Sequence, residues 1–432
     1  MRVIKITVWV VAVCSAFSVS AQNKTYPAKN PLPPKIQSQT VLLAESVVKT
    51  QWMHTLNLVN APQNVTLLNP GHCIRVGIVS TGDTRDNYLG KTTLSFRVEF
   101  AGHREAHAPA APAEIKRVKP EGGDFVAGAL RAAGVNQPEE TKTMASLGAS
   151  ADHWCAPIDA GDGTATVTTE VEAPDSHQTL NVATAQIESF ETGSKRTFQN
   201  AEELGTFIQT YYRQPNPARL LPALQFFVED QTQRSRKDQT EILAAFVSAA
   251  LRSDQIAAED FRSRISVQPP MIRTLGLMVL RSAGYDIGGV LNTLSKEEQQ
   301  KFQSLPPLQD PFDLEPTQNL FHHLDMMWAT FGATGQFRPV QTIASVLGWR
   351  SDYEAFDKLR KSPQRPSALT PSIVRGIAYT AAGWSLASFQ RNDPLVADYI
   401  DYLLASPDTT DPVKSELTGL ATNPAFKRAG GQ

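Results

Sequence analysis

The sequence predicts an α+β multidomain protein, in which an N-terminal antiparallel β-sandwich is followed by an all-α region of stacked helix pairs. Three observations lead to this prediction. Apolar residues alternate with a period of two from about residue 41 to 195, and they recur with a period near 3.6 from residue 200 onward. The chain of 432 residues is also longer than one domain usually needs. We therefore expect two domains that divide near residues 195–200.

The first element, residues 1–21, is typical of a secretory signal peptide. Arg2 and Lys5 precede a short apolar run, and small uncharged residues stand at the −3 and −1 positions before Gln22. The run is too short for a spanning helix, so we expect no stable membrane insertion of the mature chain. This signal predicts a protein that lies in the periplasm or is secreted.

The strand-rich part begins after a short lead. Residues 22–39 are rich in proline and polar side chains, which predicts a flexible lead. Residues 40–195 contain alternating segments, such as 94–100 and 165–171, separated by turns with glycine or proline. Six or seven such strands are typical of an immunoglobulin-like sandwich. Residues 102–152 lack strand signals, so we expect an insertion there.

Two cysteines, Cys73 and Cys155, remain once the signal peptide is removed. In an oxidising compartment two cysteines most simply form a disulfide with each other. The alternation places Cys73 on the face opposite to Ile74 and Val76, so we expect the bond to lie outside the sandwich and to hold the end of the insertion against this strand. The alternative is a pair of unbonded, buried thiols.

The apolar pattern of residues 196–432 predicts helices with no strand between them. Asn200 followed by Glu203 predicts a capped helix start, and Thr370 with Pro371 predicts the start of its clearest helix. We expect helices at about 203–213, 217–230, 238–252, 257–265, 269–283, 286–304, 316–334, 338–348, 371–390 and 394–405.

Several of these helices form pairs in which a short turn leads to a helix that proline begins. Pro217, Pro339 and Pro394 mark three such pairs. In this pattern residues 200–405 resemble the tetratricopeptide-like α-solenoid regions of exported bacterial proteins. The resemblance implies stacked helix pairs, and an irregular helical bundle is the alternative arrangement.

The predicted helix over 316–334 carries a candidate catalytic pair. His322 and Asp325 share one of its faces at i, i+3 spacing, a placement in which a carboxylate can orient a general base. A hydrogen bond on the helix surface is the more ordinary interpretation. We expect both residues to lie beside the buried stripe of this helix, which consists of Phe321, Leu324, Trp328 and Phe331.

Metal and nucleic-acid sites receive less support from the sequence. His103, His107 and His153 could bind zinc if the insertion folded back, but Glu105 does not stand in the order that metalloproteases use. The 41 basic side chains are balanced by 43 acidic ones, which excludes the concentrated positive charge that nucleic acid requires. We therefore expect no metal, no cofactor and no nucleic-acid partner.

These observations favour an exported, non-catalytic binding or scaffold protein. Its helical region would recognise a protein or peptide on a concave surface, an inference that depends on fold analogy. The alternative is an extracytoplasmic hydrolase with a site in a cleft between the two domains. A pocket in which the candidate residues converge would favour the enzyme.

The cysteine pairing can be tested by mass spectrometry. Protein exported to its natural compartment should gain no mass when alkylated without reduction, and it should gain two alkyl groups when alkylated after reduction, because both sulfurs are engaged in one bond. Two alkylated cysteines without prior reduction would show free thiols and refute the pairing.

Overall fold

The structure is a computed structural model that describes most of the chain after residue 147 and several segments before it. The described residues are 37–44, 66–81, 93–102, 114–118, 148–173, 176–229, 237–313, 320–361 and 370–422. The predicted signal peptide, residues 22–36 of the predicted lead and most of the predicted 102–152 insertion lie outside them. Within the described residues, helices contain more than twice as many residues as strands.

The strands of the described residues form two sheets. They are β1 (Gln37–Ala44), β2 (Leu67–Leu68), β3 (Cys73–Thr81), β4 (Thr93–Gly102), β5 (Glu114–Val118), β6 (Gly148–Cys155), β7 (Gly163–Ala173) and β8 (Ser176–Ile187). An antiparallel sheet has the order β1-β3-β6, and a larger sheet has the order β2-β8-β7-β4-β5. The larger sheet is mixed, because β2 runs parallel to β8 while the other pairs are antiparallel.

The predicted immunoglobulin-like β-sandwich is wrong, and so is the fold class built on it. The described part of the chain is mostly helical, its larger sheet is mixed, and it shows no sandwich of two antiparallel sheets. Buried strand residues such as Val98 and Val167 belong to neither of the main hydrophobic cores. The period of two identifies the buried face of a strand, but it does not identify the surface that covers that face.

The disulfide joins neighbouring strands of one sheet. The register of β3 and β6 places Cys73 opposite Cys155, and the two sulfurs are bonded. Cys155 is exposed, whereas Trp154 beside it is buried. β5 and β6 lie largely within the segment that was expected to lack strands. The Gly148-Ala149-Ser150 start of β6 has low strand propensity, so the pairing with β3 determines its conformation.

The helical region begins directly after β8. Its α-helices are α1 (Phe190–Ser194), α2 (Ala201–Thr210), α3 (Leu220–Glu229), α4 (Lys237–Arg252), α5 (Gln255–Ile265), α6 (Pro270–Ser282), α7 (Gly288–Leu291), α8 (Lys296–Ser304), α9 (Leu320–Thr334), α10 (Phe337–Ser345), α11 (Arg350–Lys361), α12 (Pro371–Asn392), α13 (Pro394–Ala405) and α14 (Asp411–Thr422). Two short 3₁₀ helices, Pro217–Arg219 and Val346–Trp349, precede α3 and α11.

Two hydrophobic cores organise these helices, and α9 contributes to both. The first core is built mainly by α2 to α6 and includes Ala329 and Ala333 of α9. The second is built by α9, α10 and α12 to α14 and includes Met327 and Phe331. Small residues of α9 therefore face the first core, and large residues face the second.

A close backbone contact fixes α9 against the end of α2. The Tyr212 amide donates a hydrogen bond to the Gly332 carbonyl oxygen at 2.8 Å. A Cβ atom added at Gly332 would lie 2.2 Å from the carbonyl oxygen of Ile208, well inside van der Waals contact. This position therefore requires glycine for the two helices to approach.

Polar contacts join the larger sheet to the helical region around Glu188. Its amide donates to the Leu68 carbonyl oxygen at 2.9 Å, and its own carbonyl oxygen accepts from Asn69 Nδ2 at 2.6 Å. Its buried carboxylate accepts from Asn216 Nδ2 at 3.3 Å and pairs with Arg196 at 2.7 Å. The predicted domain division near 195–200 thus lies between residues that contact one another.

The contact at Gly332 generates a stability prediction. Gly332→Ala should lower the free energy of unfolding by about 1–3 kcal/mol, because the added methyl group overpacks a backbone contact. Gly419→Ala is a matched control in α14, since nothing lies within 4 Å of its added Cβ. It should raise stability by about 0.5–1 kcal/mol through helix propensity. Urea unfolding followed by circular dichroism measures both, and equal effects would contradict the packing argument.

Candidate functional site

A cavity of about 440 Å³ lies within the helical region. Its walls are α4, α6, α9 and the strap, a name we give to residues 305–312. This volume falls within the range of about 300–1,000 Å³ that is usual for ligand pockets. The apolar part of the lining includes Ala245, Ala249, Met278, Leu308, Phe312 and Met326.

The local sequence of the strap explains its extended path. α8 ends at Ser304, and the next residue, Leu305, has extended backbone angles. Pro306, Pro307 and Pro311 then exclude a helix by fixing φ and by removing backbone donors. The strap therefore leaves α8 as an irregular segment and closes one side of the cavity.

Side chains from three helices hold the strap in place. Arg252 of α4 contacts Asp310 at 3.2 Å and donates a second hydrogen bond to the Ser282 carbonyl oxygen at 2.9 Å. Arg338 of α10 lies 3.9 Å from the ring centroid of Phe312, in a cation–π contact. His323 of α9 is the third contact.

His323 was not singled out by the sequence, and it bonds to the strap. Its Nε2 lies 2.6 Å from the Pro311 carbonyl oxygen. Burial lowers the pKa of His323, and this effect outweighs the opposing contribution of that carbonyl. The ring is therefore neutral near pH 7, and Nε2 must carry the proton that it donates.

The predicted pair His322 and Asp325 is not joined by a hydrogen bond. His322 is only 9% exposed, and both of its ring nitrogens are buried. Its Nε2 instead lies 2.5 Å from a carboxylate oxygen of Glu241, which lines the cavity. Asp325 lines a second, smaller cavity of about 160 Å³ with Trp328 and Phe389. His322 is therefore buried, whereas the sequence predicted a position on the helix surface.

Trp328 packs as an aromatic anchor between helices. Its ring stacks on Phe389 of α12, with centroids 3.9 Å apart and planes 9° apart. It also meets Phe331 edge-on, at 5.8 Å. Trp328 is 6% exposed, so the sequence correctly assigned it to the buried stripe.

A buried polar network at the far end of α9 serves the packing of the second core. Tyr212 donates a hydrogen bond to Asp393 at 2.7 Å, and Arg213 pairs with the same carboxylate at 2.6 Å. Asp393 also caps α13 by accepting from the Leu395 amide at 3.0 Å. Burial, and then the charge of Asp393, raise the pKa of Tyr212, which keeps the phenol protonated.

The predicted zinc ligands lie largely outside the described residues. His103 and His107 lie outside the described residues, and the side chain of His153 is likewise not described. Among the residues that are described, no three His, Cys, Asp or Glu side chains are grouped to hold a metal ion. The same residues include no helix long and apolar enough to cross a bilayer.

Comparison with known proteins does not assign a family. No family model matches the sequence, and no curated protein matches it. A solved structure that describes glycolipid glycan hydrolysis by a family 123 glycoside hydrolase from Clostridium perfringens is similar at 8% identity and a TM-score of 0.17. The match covers 47% of this chain and 37% of the hydrolase chain. A score this low carries no argument about fold or function.

The aromatic packing of α9 gives a second stability prediction. Trp328→Ala should lower the free energy of unfolding by about 3–5 kcal/mol, because it removes a buried aromatic side chain from a helix interface. Trp384→Ala is the matched control in α12, where the indole is 36% exposed. It should cost less than Trp328→Ala, about 1–2 kcal/mol, because a good part of the indole already lies in water. Guanidinium unfolding compares the two, and a small effect of Trp328→Ala would contradict the assigned packing.

Proposed function

We propose that this protein is an exported, non-catalytic binding protein whose helical region takes a peptide segment of a partner into the cavity beneath the strap. Export is supported by the signal peptide that residues 1–21 predict. The observation that carries the binding proposal is the cavity of about 440 Å³, which is bounded by helices on most sides and by the strap on another.

The lining of the cavity favours an apolar side chain as the buried part of the ligand. Ala245, Met278 and Met326 present small or flexible apolar surfaces. The hydroxyls of Ser248 and Thr330 already donate to backbone carbonyl oxygens, at 3.2 and 2.9 Å. These two groups therefore have little remaining need for a polar ligand.

The charges at the cavity favour a basic residue beside that apolar side chain. Arg252 and Asp310 pair with each other, which balances one positive and one negative charge. The Glu241 side chain is 32% exposed, and its carboxylate lines the cavity while also lying 2.5 Å from His322 Nε2. A peptide with lysine or arginine next to an apolar residue matches this arrangement.

The histidines near the cavity support binding over catalysis. Both ring nitrogens of His322 are buried, so a substrate cannot reach them in this conformation. His323 is occupied by the Pro311 carbonyl oxygen. A general base must come within hydrogen-bond reach of the proton that it removes, and neither ring meets this requirement here. The cavity also lies within the helical region, whereas the hydrolase alternative needs a cleft between two domains.

The proposal can be tested with a library of random 12-residue peptides displayed on phage and selected against the mature chain. Selected peptides should contain an apolar residue next to lysine or arginine. Ala245→Trp fills the cavity, so it should weaken binding of a selected peptide at least tenfold in a fluorescence anisotropy titration. Glu241→Gln should weaken it about fivefold, which corresponds to about 1 kcal/mol for one charge pair.

Ala355→Trp is the matched control, because Ala355 is exposed on α11 and does not line the cavity. It should leave the affinity unchanged. Equal binding by Ala245→Trp and Ala355→Trp would overturn the proposed site. Cleavage of the selected peptide by the wild type, lost in folded His322→Ala, would instead establish the hydrolase.

A further inference from the structure

The ring of His72 lies between two oxygen acceptors. Its Nε2 is 2.5 Å from Asp254 Oδ2, and its Nδ1 is 3.1 Å from the Pro70 carbonyl oxygen. A neutral imidazole has only one N–H group, so one of these nitrogens would face an oxygen lone pair without a proton between them. Only the doubly protonated ring can donate to both acceptors. The side chain is 15% exposed, so water does not readily replace either contact.

The acceptor on the helical side is fixed by a second bond. Asp254 precedes α5 and caps it, since its Oδ1 accepts from the Ala257 amide at 2.9 Å. Oδ2 of the same carboxylate faces His72. The capping bond thus orients the carboxylate independently of His72, and the ring meets a negative charge that is already in position.

The histidine itself stands on a turn that the disulfide closes. The Gly71 amide donates to the Ala156 carbonyl oxygen at 3.0 Å, and the Ala156 amide returns a bond of 3.0 Å to the His72 carbonyl oxygen. Cys73 follows His72 and Cys155 precedes Ala156, and these two cysteines form the disulfide. Gly71 has φ of 78°, a conformation that favours glycine. A displaced His72 would therefore carry the turn with it.

The charged residue that packs against the His72 ring is Asp254. Phe190 of α1, whose ring centroid is 5.9 Å away, carries no charge, and Ile256 of α5 packs against the turn beside it. Tyr211 and Tyr285 also lie near Asp254, but burial and the Asp254 charge raise the pKa of each phenol, so both stay neutral.

We propose that His72 is a proton-dependent latch between the disulfide-closed turn, residues 69–72, and the start of α5. With both ring nitrogens protonated, the latch is closed and the sheet end is held against the helical region. Loss of one proton leaves one acceptor without a donor, which weakens the junction and increases opening of the turn.

The direction of the pH dependence follows from the neighbours of His72. Burial lowers the pKa of His72, but the hydrogen bond and charge of Asp254, with two backbone carbonyls, outweigh it and raise the pKa above the ordinary 6.5. A group with a raised pKa in the folded state stabilises that state fully below its unfolded pKa. Its contribution is lost as the pH rises through the raised value. The latch is therefore closed in mildly acidic solution and opens toward alkaline pH.

The test uses the mature chain with ¹³C-labelled histidine. The His72 resonance, assigned by its loss in His72→Gln, should titrate with a midpoint above 6.5. Asp254→Asn keeps a capping oxygen but removes the charge, so the midpoint should fall by at least one pH unit. A wild-type midpoint at or below 6.5, or no change in Asp254→Asn, would overturn the latch.

Hydrogen exchange then tests whether the proton acts on the turn. Peptides that cover residues 66–81 should exchange at least fivefold faster at pH 9 than at pH 6, after correction for intrinsic rates. This difference should disappear in Asp254→Asn and persist in His323→Gln, a control at a histidine whose pKa is lowered. The same pH effect in wild type and Asp254→Asn would overturn the proposal.

Discussion

The packing of α9 between two hydrophobic cores is the constraint on which the helical region depends. Its alanines face the first core and its large side chains face the second, so a rotation of this helix would disturb both. The glycine contact at Gly332 allows the backbone of α9 to approach the end of α2. Because α9 is thereby fixed, its other side can form a stable wall of the cavity, and His323 can hold the strap through Pro311. The candidate site therefore depends on the sharing of α9 between the two hydrophobic cores.

Local signals predicted the helices better than the sheets. Proline and its preceding cap placed the start of α12 at Pro371, and the apolar period located α4, α9 and α13 to within a few residues. The single helix expected over 286–304 is instead α7 and α8, because Ser295 and Glu298 form a capping box that begins a new helix. α11 and α14 were not predicted. The sandwich was inferred from alternation, turn residues and the number of strands, which do not specify which strands pair or what covers them.

The site was predicted only in part, because its residues come from segments that are far apart in the sequence. Spacing drew attention to His322 and Asp325, but it could not show that a neighbouring helix would supply Glu241 or that the strap would close a cavity. His72 and Asp254 are 182 residues apart, and no local pattern relates them. Asp254 does have a sequence signal as a helix cap, whereas its contact with a histidine from the turn depends on tertiary structure. Contacts between residues so far apart in the sequence depend on tertiary packing, and a local sequence pattern does not predict them.

Peptide binding beneath the strap is the property that we propose for the helical region. The most direct measurement is a crystal structure of the mature chain with a peptide that it has selected. We expect an apolar peptide side chain between α4, α6 and α9, with a basic group within about 4 Å of the Glu241 carboxylate. A peptide bound elsewhere, with the cavity unchanged, would contradict the proposed binding site.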